Sequence, residues 1–145
     1  MTMPARTGSC LCGNVKVIIK GAPVSTNLCH CTSCQKFSGS PFGSLAAFKT
    51  SEIIFSEAEP SIMKTYDDTS PESGRIVKRL FCGRCGSPLC GIRGGFEDIS
   101  ILPIGIIEGD KSDLQPQFEF FHKSKVDWIT PVVGSQCFET LPPVP

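Results

Sequence analysis

Cys82-Gly83-Arg84-Cys85-Gly86 sets two thiols across one tight turn. A C-x-x-C turn is a zinc-knuckle spacing, and Gly83 and Gly86 supply the positive φ such turns often need. The same spacing can serve as a redox pair in a thioredoxin-like βαβ context. That context is missing, because no helical apolar period is sustained over three turns. Turn signals instead recur about every eight to twelve residues, as in all-β domains. The natural partner is Cys10-Leu11-Cys12, lying between Gly8 and Gly13. In an ideal strand its sulfurs would stand about 6.6 Å apart, from a rise of ~3.3 Å per residue. Tetrahedral zinc, with Zn–S bonds of ~2.3 Å, wants about 3.8 Å, so the chain must curl between Gly8 and Gly13. Cys10, Cys12, Cys82 and Cys85 together make a closed four-sulfur clasp, a structural zinc site coupled to folding. It ties the start of a mainly β chain to its middle.

A third cluster remains, Cys29-His30-Cys31-Thr32-Ser33-Cys34. Soft thiolates this close select zinc, copper(I) or an iron–sulfur cluster over hard cations. If residues 29–31 are extended, Cys29 and Cys31 point one way and His30 the other, and a turn through Thr32 and Ser33 returns Cys34. The set is then a three-thiolate zinc with an open position, as a catalytic site requires. Cys90 and Cys137 stand alone; Cys90 reads as core, and closure by Cys90 or His122 would remove the open position. Three thiolates leave the zinc complex at net −1, a poor Lewis acid for hydrolysis but a suitable host for an incoming thiol.

Around these clusters short strands are expected. They fall at 14–20, 24–29, 42–48, 52–55, 62–66, 75–81, 89–93, 98–106 and 117–121, with one helical turn at 32–37 stopped by Ser38-Gly39. Residues 67–74, rich in Asp, Ser, Pro and Gly, read as an exposed loop. Residues 1–7 read as a lead-in, 8–140 as one zinc domain and 141–145 as a loose tail.

The bulk numbers agree. The chain has 145 residues, 40% apolar and 19% charged, which suits one folded domain. Fourteen basic residues balance fourteen acidic ones, so nucleic acid and anionic membranes are not expected partners. The apolar runs are too short to span a bilayer, and the first residues show no secretory h-region. Nine cysteines are therefore expected as reduced thiols in the cytoplasm.

Several residues admit two readings. Gln35, Lys36, Ser38 and Ser40 either hold substrate carboxylates or are solvated groups on a helical turn. Arg93 either binds a carboxylate bidentately or is solvated at a strand end. His30 is either a proton shuttle or a buried group that orients its neighbours, the second being the expectation. Phe118, Phe120 and Phe121 line a pocket or join the core, where His122 and Trp128 are also expected to pack.

Taken together, three runs resemble the glutathione-dependent formaldehyde-activating (GFA) family. They are Gly8-x-Cys10-x-Cys12-Gly13, Cys29-His30-Cys31-x-x-Cys34-Gln35-Lys36-x-Ser38-Gly39-Ser40 and Phe81-Cys82-x-x-Cys85-Gly86-Ser87. Lys123-Ser124-Lys125-x-x-Trp128 is similar to a run that members often carry. The resemblance implies a β-tent of short antiparallel strands and two zinc ions. One is structural, on Cys10, Cys12, Cys82 and Cys85; the other is catalytic, on Cys29, Cys31 and Cys34. It also implies a carbon–sulfur lyase resembling S-(hydroxymethyl)glutathione synthase, adding glutathione to formaldehyde or a related small carbonyl. The other readings are a tailoring enzyme for another thiol adduct or carbonyl compound, and a non-catalytic zinc module that binds a protein.

Overall fold

The computed structural model describes residues 4–142. The expected lead-in and tail therefore lie partly outside the described residues. Among the described residues eleven strands form two sheets, with one α-helix packed beside them. In chain order they are β1 (Arg6–Ser9), β2 (Val15–Ile19), β3 (Ser25–Cys29), α1 (Thr32–Ser38), β4 (Gly43–Lys49) and β5 (Ile53–Glu57). The series continues with β6 (Met63–Asp68), β7 (Val77–Cys82), β8 (Pro88–Arg93), β9 (Ile99–Pro103), β10 (Phe118–Phe120) and β11 (Gln136–Cys137). The small sheet runs β1-β2-β5 and the large one β11-β10-β3-β4-β9-β8-β7-β6.

The protein is mainly β, with one departure from the antiparallel expectation. β10 lies parallel to both β3 and β11, making the large sheet mixed. β3 and β10 are separated by most of the chain, and residues 121–135 connect β10 to β11; parallel pairs need such long crossovers. β1 also begins at Arg6, inside the expected lead-in, pairing Arg6 with Ile19.

The core forms between the sheets by simple alternation. Val15, Val17 and Ile19 of β2 are buried while Lys16 and Ile18 face outward. Those three pack in one cluster with Ala46 and Phe48 of β4, Leu89 of β8 and Leu102 of β9. Fully burying side chains of this size stabilises by roughly 1.5–3 kcal/mol each. β1 fits here because Gly8 has no side chain: a Cβ would stand 2.5 Å from the Ile106 carbonyl oxygen. Gly8 thus serves close approach, whereas Gly13, at φ 79°, makes the turn.

The other face of the large sheet is not filled by a sheet. α1, the 69–74 connection and the residues after β10 cover it, and the space they leave is the cavity described below. Among the described residues, no helix is long and apolar enough to cross a membrane.

Candidate metal centres and the cavity beside them

The four sulfurs of Cys10, Cys12, Cys82 and Cys85 all lie within 4.8 Å of one another. Cys10 and Cys12 stand 3.6 Å apart and Cys12 and Cys82 3.8 Å apart, close to the spacing tetrahedral zinc asks of its sulfurs. These separations are far longer than a disulfide bond of ~2.05 Å. Cys10 follows β1, and its carbonyl accepts from the Gly13 N–H at 3.1 Å, closing the curl. Cys82 ends β7, and Gly86, at φ 76°, turns the chain so that its N–H donates to the Cys82 carbonyl. Gly83 does not adopt positive φ, contrary to the expectation. Its N–H donates to Ile62, whose carbonyl oxygen would lie 2.7 Å from an added Cβ.

Ser87 joins the two halves. It accepts from the Leu11 N–H at 2.9 Å, and its hydroxyl lies 3.2 Å from the Cys85 sulfur. That hydroxyl helps pull the Cys85 thiol down to about 5, favouring the thiolate a metal needs. The Asn14 side-chain amide donates to Cys12 at 3.1 Å and lowers that thiol also. Such a donor set fits zinc.

The sulfurs of Cys29, Cys31 and Cys34 form the second group, again within 4.8 Å of one another. Among the described residues no fourth His, Cys, Asp or Glu joins it; Cys90 and His122 both stay outside. Cys29 closes β3, Cys31 is the N-cap of α1, and Cys34 sits in its first turn. The Cys31 sulfur accepts from the Cys34 N–H at 3.3 Å, the ordinary capping bond made with sulfur instead of oxygen. α1 ends where expected, at Gly39 in the left-handed conformation. Hydrogen bonds from the Cys29 and Cys34 thiols draw Cys31 down to about 3, while the Cys29 thiol is pushed up. The cluster concentrates negative charge at Cys31, and this soft trio also fits zinc.

Register explains what stands beside it. Cys29 lies opposite Gly43, Leu45 opposite Pro103, and Ile101 opposite Gly91. Gly91 lies opposite Arg79, and Val77 opposite Arg93. Opposed residues share a face, so the sheet presents Cys29, Arg79 and Arg93 to one cavity. It measures about 990 Å3, its open mouth included. Phe37 and Ser38 of α1, Glu72 of the 69–74 connection, and Phe120 and Phe121 also line it. Of the polar candidates after the cluster, only Ser38 reaches the cavity; Gln35, Lys36 and Ser40 do not line it. The Gln35 amide donates instead to the carbonyls of His30 (2.8 Å) and Ser124 (3.3 Å).

Two buried networks hold this arrangement; sequence reasoning expected a buried His30 but named neither acidic partner. Asp68, expected in an exposed loop, is the last residue of β6 and is buried. It accepts from Arg79 Nε (3.1 Å) and Nη2 (2.9 Å) and from the Ser70 N–H (2.9 Å) and hydroxyl. The Ser70 hydroxyl also meets Ser33 of α1 at 3.0 Å, and the Arg79 guanidinium lies over the Phe37 ring at 5.1 Å. Burial pushes the Asp68 carboxyl up, but Ser70 and Arg79 outweigh it and hold it below the usual range.

Arg79→Leu should therefore cost about 3 kcal/mol, because it strands a buried carboxylate. That should lower the melting temperature by roughly 10 °C. Asp68 contributes stability above its unfolded pKa of about 3.9 and loses it as pH falls through the lower folded value. Melts at neutral and acid pH should show the gap between variant and wild type closing below about pH 4.

Glu119 of β10 anchors the second network. It is fully buried, and accepts from the Val132 N–H (2.7 Å) and Ser135 hydroxyl (2.9 Å). His30 Nε2 lies 2.7 Å from its other oxygen. His30 is itself fully buried and outside the sulfur group, as alternation requires. The ring of His122 meets His30 edge-on at 6.2 Å, so His122 packs as expected. Trp128 does not: it is 74% exposed. Lys123 instead pairs with Glu72 at 2.6 Å, bracing the 69–74 connection.

A search of curated proteins finds no match. Among solved structures, a crystal structure of a Rhodobacter sphaeroides protein superposes with a TM-score of 0.55 at 19% sequence identity, covering 74% of this chain and 92% of that one. At that identity the likeness is one of fold. The model of the family described as "GFA: Glutathione-dependent formaldehyde-activating enzyme" matches residues 5–124, which include all seven clustered cysteines. The chain belongs to the glutathione-dependent formaldehyde-activating family.

Proposed function

We propose that this protein is a zinc-dependent carbon–sulfur lyase that makes and breaks a thiol–carbonyl adduct at Cys29, Cys31 and Cys34. The observation that carries the reading is a three-sulfur group with no fourth protein ligand among the described residues, lining a cavity. Glutathione and formaldehyde are the first pair to test, since the family's description names them. Cys10, Cys12, Cys82 and Cys85 would hold a structural zinc, and Cys29, Cys31 and Cys34 the catalytic one. Zinc on three thiolates supplies one further position for a soft donor such as a substrate sulfur.

The chain's own residues supply the rest. In the forward direction the thiol S–H adds across the C=O bond. A C–S bond forms, and the carbonyl oxygen becomes a hydroxyl that takes the proton. Arg79 commits Nε and Nη2 to Asp68, while its Nη1 lies near Gly91 on the cavity wall. A fixed cation there stabilises negative charge developing on the carbonyl oxygen. Leu45, Val77, Ile101 and Phe120 keep water away and strengthen that interaction. Ser38 of α1 lines the same cavity, which supports a role for its hydroxyl in binding substrate.

Exchange between free formaldehyde and its glutathione adduct, followed by NMR, tests the reading. The zinc-loaded protein should accelerate exchange well above the spontaneous rate. Exchange at the buffer rate would remove this substrate pair.

A further inference from the structure

The two arginines of the cavity are unlike. Arg79 is paired with Asp68 through Nε (3.1 Å) and Nη2 (2.9 Å). The Arg93 side chain, among the described residues, makes no hydrogen bond and no ion pair, although it is half-buried and lines the cavity. The one carboxylate in the lining, Glu72, is already paired with Lys123 at 2.6 Å.

Arg93 is held in place without being neutralised. Its guanidinium lies over the Phe96 ring at 4.9 Å, and Arg75 lies over the same ring at 4.9 Å. Arg75 is fixed in turn by donating to the Gly94 carbonyl at 3.1 Å. Burial and the neighbouring Arg75 both lower the Arg93 pKa. Arg93 and Cys29 line the same cavity. Even partial burial of a cation without a counter-charge carries a cost in a fold. Here an aromatic face fixes it on a wall shared with Val77 and Ile101, in the cavity that Cys29, Cys31 and Cys34 also line.

We infer that Arg93 receives a carboxylate, and that the substrate is an anionic molecule with an apolar body between its carboxylate and its reactive end. The inference names the substrate class of the three-cysteine site, and it rests on the proposed function for the placement of that reactive end. A guanidinium takes a carboxylate through two parallel N–H···O bonds, a geometry that lysine does not reproduce.

Two probes separate this inference from the reading beneath it. Hexanoate carries no thiol and hexanol is its neutral counterpart, and substitution at Arg93 isolates that residue from Arg79 and the metal. By calorimetry on the zinc-loaded protein, hexanoate should bind at least about tenfold more tightly than hexanol. The preference should vanish in Arg93→Gln and persist, weakened, in Arg93→Lys. The lysine variant keeps the test decisive if the glutamine variant does not fold. Equal binding of the two probes, or a preference untouched by both substitutions, overturns the inference. Mercaptohexanoate added to the cobalt-substituted protein reads the reactive end, through a thiolate-to-cobalt band. If that band is absent while hexanoate binding still depends on Arg93, the proposed function fails and the carboxylate site stands. If the band appears without carboxylate preference, the proposed function stands and Arg93 has no such role.

Discussion

Cys82→Ser is expected to leave the protein unfolded or aggregated. Cys82 is fully buried at the end of β7, and its sulfur lies 3.8 Å from Cys12 across a sequence separation of 70 residues. Through it the clasp joins β1 and β2 of the small sheet to β7 of the large one. Structural zinc contributes an apparent 10–16 kcal/mol or so in finger peptides. A whole domain has a net stability of only about 5–15 kcal/mol. Losing the clasp therefore outweighs any repacking, and Cys10→Ser should behave alike. Circular dichroism and the soluble fraction after expression check this. A soluble variant with unchanged melting temperature would show that the two cysteine pairs do not share a folding-coupled metal.

Cys31→Ser is expected to have the opposite profile: a folded protein, about half the zinc, and adduct exchange no faster than in buffer. The fold should survive because the clasp is untouched and serine is among the best N-cap residues, so α1 keeps its cap. Metal analysis, a thermal melt and the NMR exchange assay read the three outcomes. An unfolded Cys31→Ser would make the second site structural as well, and the enzyme reading would lose its main support.

Local rules carried much of this architecture. The thiol spacings brought out each cysteine pair and the Cys29/Cys31/Cys34 set, because such turns are closed within a few residues; joining Cys10/Cys12 to Cys82/Cys85 took the matching of two half-sites 70 residues apart. Alternation along β3 placed Cys29 and His30 on opposite sides, and Gly39 stopped α1. What stayed hidden depends on partners far along the chain. Asp68 looked like a loop residue until β7 supplied Arg79, and Glu119 finds His30 across 89 residues. β1 and β11 have no apolar alternation to announce them; Arg6-Thr-Gly-Ser9 and Gln136-Cys137 are strands because a neighbour accepts their backbone. Arg93 reads as an ordinary strand-end residue unless the register opposite Val77 places it in the cavity. Trp128, an aromatic that hydropathy would bury, stays outside because Lys123 and Ser124, rather than Trp128, tie that segment to the fold.

Cys29, Cys31 and Cys34 should hold a metal whose open position takes a substrate thiol. Titrating glutathione into the cobalt-substituted protein, with the near-ultraviolet thiolate-to-cobalt band as readout, tests it most directly. The four-sulfur clasp contributes a constant background to that band. A saturable rise corresponding to about one added thiolate per protein is expected, absent in Cys31→Ser. A wild-type spectrum unchanged by glutathione and by mercaptohexanoate would contradict it.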